Sequence, residues 1–91
     1  MRLYATSQAA AQANADKAHA YLIASDEAYA ASVAAGQTVR WAVPARDVDA
    51  DGNPVGEWFI AVEPRCLGAF TDAELSRLDA EGLALLGAAH G

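Results

Sequence analysis

From Ala5 to Ala35 the chain carries 14 alanines in 31 residues, with no proline and no glycine before Gly36. Alanine gives up no side-chain entropy on entering a helix, so this run favours helix before any tertiary contact is counted. Thr6 or Ser7 is the entry cap, and Gly36 is the stop. Inside the run, "ASDEAYA" groups Ser25, Asp26 and Glu27, a second helix start with acids in its first turn. The pattern predicts two helices, about 7–24 and 26–35. Ala11, Ala15, Ala18 and Leu22 follow the 4, 3, 4 spacing of one helical face, and Tyr29 and Val33 extend it. A face made of alanines lets another element approach closely. In front of the helices, Arg2–Ala5 reads as a short strand.

After Gly36 the period changes from helical to alternating. In "TVRWAVPAR", Val39, Trp41, Val43 and Ala45 share one face; in "GEWFIAVEPR", Trp58, Ile60 and Val62 do so. These segments predict two antiparallel strands, each with one buried face. Between them lies "DVDADGNPVGEW", in which Asp47, Asp49 and Asp51 alternate before Gly52, as a calcium loop of the EF-hand type begins. An EF-hand loop starting at Asp47 needs a bidentate acid at its twelfth position, and that position is Trp58. Starting at Asp49 places Pro54 where the glycine belongs, and the flanks are strands instead of helices. Asp-Gly followed by Asn-Pro is turn chemistry, with Gly52 free to take a positive φ. No metal site is expected there.

If Asp51 and Gly52 are the two central turn residues, Arg46 faces Glu57, Arg40 faces Glu63, Val43 faces Ile60 and Trp41 faces Val62. That register assigns Pro44 a hydrogen bond it cannot make, and a slip of two residues relieves it at the cost of the Arg46 pairing. Either choice keeps Trp41, Val43, Trp58, Ile60 and Val62 on one face. The prolines imply an exposed edge or a bulge. A two-stranded hairpin needs cover, and the alanine helices are the simplest source of it.

The last helix start is the best marked. In "FTDAELSRL", Thr71 is the N-cap, Glu74 its capping-box partner and Phe70 a staple for Leu75. A helix is expected from Asp72, with Leu75, Leu78 and Gly82 along one face. Gly82 is a poor interior residue and is expected to end it, leaving 83–91 as a second short turn or a loose tail. Leu83, Leu85 and Leu86 then belong either to the core or to an oligomer contact. The fold class is α+β: Ala-rich helices on an antiparallel hairpin, with a short N-terminal strand and a C-terminal helix.

Ninety-one residues fit one compact domain, 1–91. The composition is 54% hydrophobic, but 24 of those 49 residues are alanine, so the core is expected to be thin. No uninterrupted apolar run is long enough to span a membrane, and the N-terminus does not resemble a signal peptide, so the expected location is cytoplasmic. A single cysteine, Cys66, agrees with a reducing compartment and reads as a small buried hydrophobe. A catalytic thiol needs a base, and His19 and His90 are the histidines present. Asp16 lies one helical turn before His19, but no third group orients the imidazole. Neither pair makes a catalytic constellation, and Cys66, His19 and His90 lack zinc-ligand spacing. No catalytic residue, cofactor or metal is expected.

The formal net charge is −6. Asp47, Asp49 and Asp51 contribute one half; Asp72, Glu74, Asp79 and Glu81 with Arg77 contribute the other, and the remaining charges cancel. Six basic residues scattered among twelve acids disfavour direct nucleic-acid binding, which needs a basic stripe. "GNPVG" lacks the lysine and following helix of a phosphate loop. The expected function is a small non-enzymatic module that binds a protein through Asp47, Asp49, Asp51, Glu74 and Glu81. Mobile-element-encoded inhibitors that dock on the basic groove of a nucleic-acid-handling protein share that size and acidity. The alternative is a structural subunit that oligomerises through its Leu-rich C-terminus.

Overall fold

The structure, a computed structural model, describes residues 1–37 and 42–90, the last three by their backbone alone. In chain order the elements are strand β1 (Arg2–Ala5), helix α1 (Gln8–Ser25), helix α2 (Glu27–Ala34), strands β2 (Ala45–Val48) and β3 (Pro54–Ala61), a 3-10 segment (Pro64–Ala69), and helices α3 (Asp72–Leu75) and α4 (Ala80–His90). The described strands form an antiparallel sheet in the order β1-β3-β2, and the fold is α+β.

Each helix boundary in the N-terminal half has a local cause. Ser7 caps α1 by accepting from the Ala10 amide at 3.1 Å. Asp26 serves two helices at once: its amide donates to Leu22 at 2.9 Å, closing α1, and its carboxylate accepts from the Tyr29 amide at 3.0 Å, opening α2. Because Asp26 itself is extended, with φ −128° and ψ 104°, the chain bends there. Gly36, at φ +72°, ends α2 in a paired cap: its amide donates to Val33 and the Gln37 amide donates to Ser32.

The alanine face is the seam of the molecule. Ala11, Ala15, Ala18 and Leu22 are fully buried, Tyr29 nearly so, and Val33 packs at the margin, as their spacing predicts. Small side chains bring the helix backbone close to the sheet, where Leu3, Ala5, Ile60 and Val62 complete the core with Cys66, Phe70 and Leu78. The largest fully buried side chains are Leu3, Leu22, Ile60 and Cys66, so the core is thin. The molecule is correspondingly flat, measuring 41 × 36 × 19 Å, as expected for one helix layer on one sheet.

The hairpin departs from its expected register. The Gly52 amide donates to the Asp49 carbonyl at 3.0 Å and the Asp49 amide donates to Asn53 at 2.9 Å. The loop is therefore Ala50-Asp51-Gly52, one residue longer than the expected Asp51-Gly52 turn, with Gly52 at φ +83°. One added loop residue moves the pairing by one: Val48 faces Pro54 and Asp47 faces Val55. A slip of one exchanges the two faces of the strand. Beyond a bulge where Gly56 takes φ +75°, Ala45 pairs with Phe59, placing it on the side opposite Trp58 and Ile60.

The expected faces are therefore half right. Ile60 and Val62 are buried and Trp58 half-buried on the helix-covered side of β3. On the preceding segment, Val43 is 57% exposed and Ala42, at 2%, takes the buried position. Arg46 does not pair with Glu57: its Nε and Nη2 donate to the Gly56 carbonyl at 3.1 and 2.9 Å, and Glu57 pairs with Arg77. Ile60 faces Leu3 of β1. Trp41, Arg40 and the start of the expected strand lie outside the described residues.

The C-terminal region also differs from a single helix ending at Gly82. The capping box forms as predicted: Thr71 Oγ1 accepts from the Glu74 amide, and Glu74 Oε1 accepts from the Thr71 amide at 2.9 Å. Yet α3 lasts four residues. The chain then runs beside β1: the Tyr4 amide donates to the Arg77 carbonyl at 3.1 Å, the Asp79 amide donates to the Arg2 carbonyl at 2.9 Å, and Leu3 bridges Leu78. Asp79 restarts the helix by accepting from the Gly82 amide at 2.9 Å. Inside α4, Gly82 lies close against Leu78: a Cβ there would meet that side chain at 3.0–3.2 Å, so Leu78 would have to give way by a few tenths of an ångström.

Candidate functional site

The sheet face turned away from the helices is built by the odd register of β3. Tyr4 stacks edge-on against Phe59 at 5.9 Å between ring centroids, and the Arg2 guanidinium lies 4.1 Å over the same ring. Arg2 crosses β3 in this way to reach Asp47 on β2, with Nη1 2.9 Å from Oδ2. Its backbone amide donates to Asp79 Oδ2, also at 2.9 Å. Arg2 therefore ties the hairpin and the start of α4 to one residue, which meets one acid from each acidic group of the sequence, Asp47 and Asp79. Asp47 is the main cause of the raised pKa of the Arg2 guanidinium.

The five candidate docking carboxylates are not equivalent. Asp47 is paired with Arg2. Asp49 builds the turn: its Oδ1 accepts from the amides of Asp51 and Asn53 at 2.9 and 3.0 Å. Glu74 closes the capping box and pairs with Lys17, and chiefly this lysine, then the Thr71 amide, lowers its pKa. Asp51 and Glu81 are exposed, and no hydrogen bond or ion pair among the described residues engages their carboxylates. Asp79, which the charge map counts only as one acid among several, is a structural residue. The Gly82 amide first, then the Arg2 amide and the positive charges nearby, lower its pKa.

The Leu-rich helix is docked along one side. Gly82 is buried and Leu86 packs on the core, while Leu83 and Leu85 are 45% and 42% exposed. At about 100° per residue, Leu83 and Leu85 project about 160° apart, on the two flanks of the docked side. They do not form one apolar stripe.

Among the described residues, two of the surface clefts are well lined. The larger, about 630 Å³, sits in the elbow between α1 and α2 and is lined by Tyr21, Leu22, Asp26, Glu27, Ala28 and Arg65 among others. Two of its charges are already matched to each other: Arg65 reaches Asp26 at 2.7 Å, and also Glu63 at 2.8 Å, and its guanidinium lies 5.7 Å from the centre of the Tyr29 ring. The Asp26 carboxylate is lowered first by the Tyr29 amide and also by Arg65. The smaller cleft, about 180 Å³, lies between β1, α1 and α3, with Tyr4, Thr6, Asn14, Glu74 and Arg77 at its rim.

The residues with catalytic potential are dispersed. Cys66 is buried, its Sγ donates to the Glu63 carbonyl at 3.1 Å, and burial pushes the thiol pKa up, away from the nucleophilic thiolate. His19 Nδ1 lies 2.8 Å from the Tyr29 hydroxyl, a contact between α1 and α2. Gln12 donates to Asp16 at 3.1 Å. Among the described residues no three His, Cys, Asp or Glu side chains are grouped to hold a metal ion, and no helix is long and apolar enough to cross a membrane.

Sequence reasoning missed Arg2 as the residue that joins the two acidic groups. No local pattern marks it, because its three partners lie 45, 57 and 77 residues away. Asp79 did carry a signal: an Asp three residues before Gly82 and next to "AEGLALL" is a cap followed by a helical run. No protein-family model, curated protein or solved structure matches the chain.

Proposed function

We propose that the chain is a small acidic, non-enzymatic module that binds a protein partner through a basic surface on that partner. The observation that carries this reading is the convergence at Arg2. Asp51 lies four residues beyond Asp47 and Glu81 two residues beyond Asp79, so both exposed carboxylates flank residues that Arg2 holds. Asp47, Asp49 and Glu74 serve the fold, which narrows the docking carboxylates to Asp51 and Glu81. Charges of this kind steer association with a partner of opposite sign and lose their reach as salt screens them. Inhibition of a nucleic-acid-handling protein by covering its basic groove is the class of action this chemistry suits.

A second reading, an assembly subunit, is favoured by the exposure of Leu83 and Leu85. Since these leucines lie on opposite flanks of α4, a second copy would have to straddle the helix. The test combines light scattering on the purified protein with affinity capture from lysate at low and high salt, for the wild type and for Asp51→Asn/Glu81→Gln. The binding module is a monomer whose captured basic partner is lost at high salt and weakened by the double substitution. A stable oligomer, or capture unchanged by both salt and substitution, overturns it and leaves the assembly reading ahead.

A further inference from the structure

We draw no further inference here: the strongest candidate, the open cleft at the elbow between α1 and α2, carries nothing because Arg65 and the Tyr29 amide already engage its Asp26 carboxylate and, among the described residues, no buried, unpartnered polar side chain points into it.

Discussion

The elbow between α1 and α2 and the hairpin between β2 and β3 each turn on a single residue, with unequal consequences. At the elbow, Asp26 decides where one helix stops and the next begins. Moving that boundary by one residue leaves Ala11, Ala15, Ala18 and Leu22 on the same face, since their spacing alone defines it. In the hairpin, one residue added to the loop, Ala50, sends every β2 side chain to the opposite face. A helix turns about 100° per residue and a strand 180°, so a one-residue error is partial in the first and total in the second. A helical face is thus a property of its own segment, whereas a strand face depends on the turn that joins it to its partner.

The largest effect should come from the residues that this contrast sorts. Leu22 and Val43 were both expected on buried faces; Leu22 is fully buried and Val43 is exposed. Leu22→Ala should cost about 2–5 kcal/mol, whereas Val43→Ala should stay within about 0.5 kcal/mol, as a surface substitution does. Denaturant melts of both variants decide it. A loss of more than about 2 kcal/mol at Val43 would return it to the buried face that either expected register assigns it.

Next in size are changes to the turn itself. Gly52 holds φ +83°, and Gly52→Ala should cost about 1–2 kcal/mol, the penalty for an L residue in the left-handed region. Deleting Ala50 should cost more, because a two-residue loop drives Ala45 and Arg46 across the sheet against the Ala45–Phe59 pairing and the Arg46 fork on Gly56. If the deletion is tolerated better than Gly52→Ala, the loop does not set the register.

The same contrast explains what was legible in advance. Helix starts at Ser7, Asp26 and Thr71 are chemical signatures within four residues, and all three form. The strand Arg2–Ala5 was legible as a strand, but not its place beside β3, because Leu3 meets Ile60 across 57 residues of sequence. Gly82 shows the same limit. A glycine in a helical pattern reads as a stop, and its close packing against the Leu78 side chain appears only once the chain folds back along β1. The candidate docking surface was legible as charge but not as an arrangement. Nothing local separates Asp49, consumed by its own turn, from Asp51, left exposed two residues later. A capping box, in contrast, is fully local, so Thr71→Ala should remove it at a cost of about 1 kcal/mol, measured by denaturant melt.

The smallest effect is a pH dependence that pairs a local contact with a distant one in the same carboxylate. Glu74 accepts from the Thr71 amide three residues away and pairs with Lys17 on α1, and both lower its pKa. A carboxylate whose folded pKa is depressed contributes stability that is present above the unfolded value, about 4.3 for Glu, and is lost as pH falls through the folded value. Asp79 and Asp26 are lowered too and act in the same direction, so the melting temperature should be level between about pH 5 and 7 and fall below about pH 4. Glu74→Gln keeps an oxygen for the Thr71 amide but discards the charge that Lys17 meets. It should lower the melting temperature slightly at pH 7 and shallow the fall in acid, because one fewer group then takes up a proton on unfolding. Thermal melts across this range compare the two proteins directly. An acid limb equally steep in both would mean that Lys17 and the cap leave the Glu74 proton affinity unchanged on folding. The contact between α1 and α3 would then owe nothing to charge.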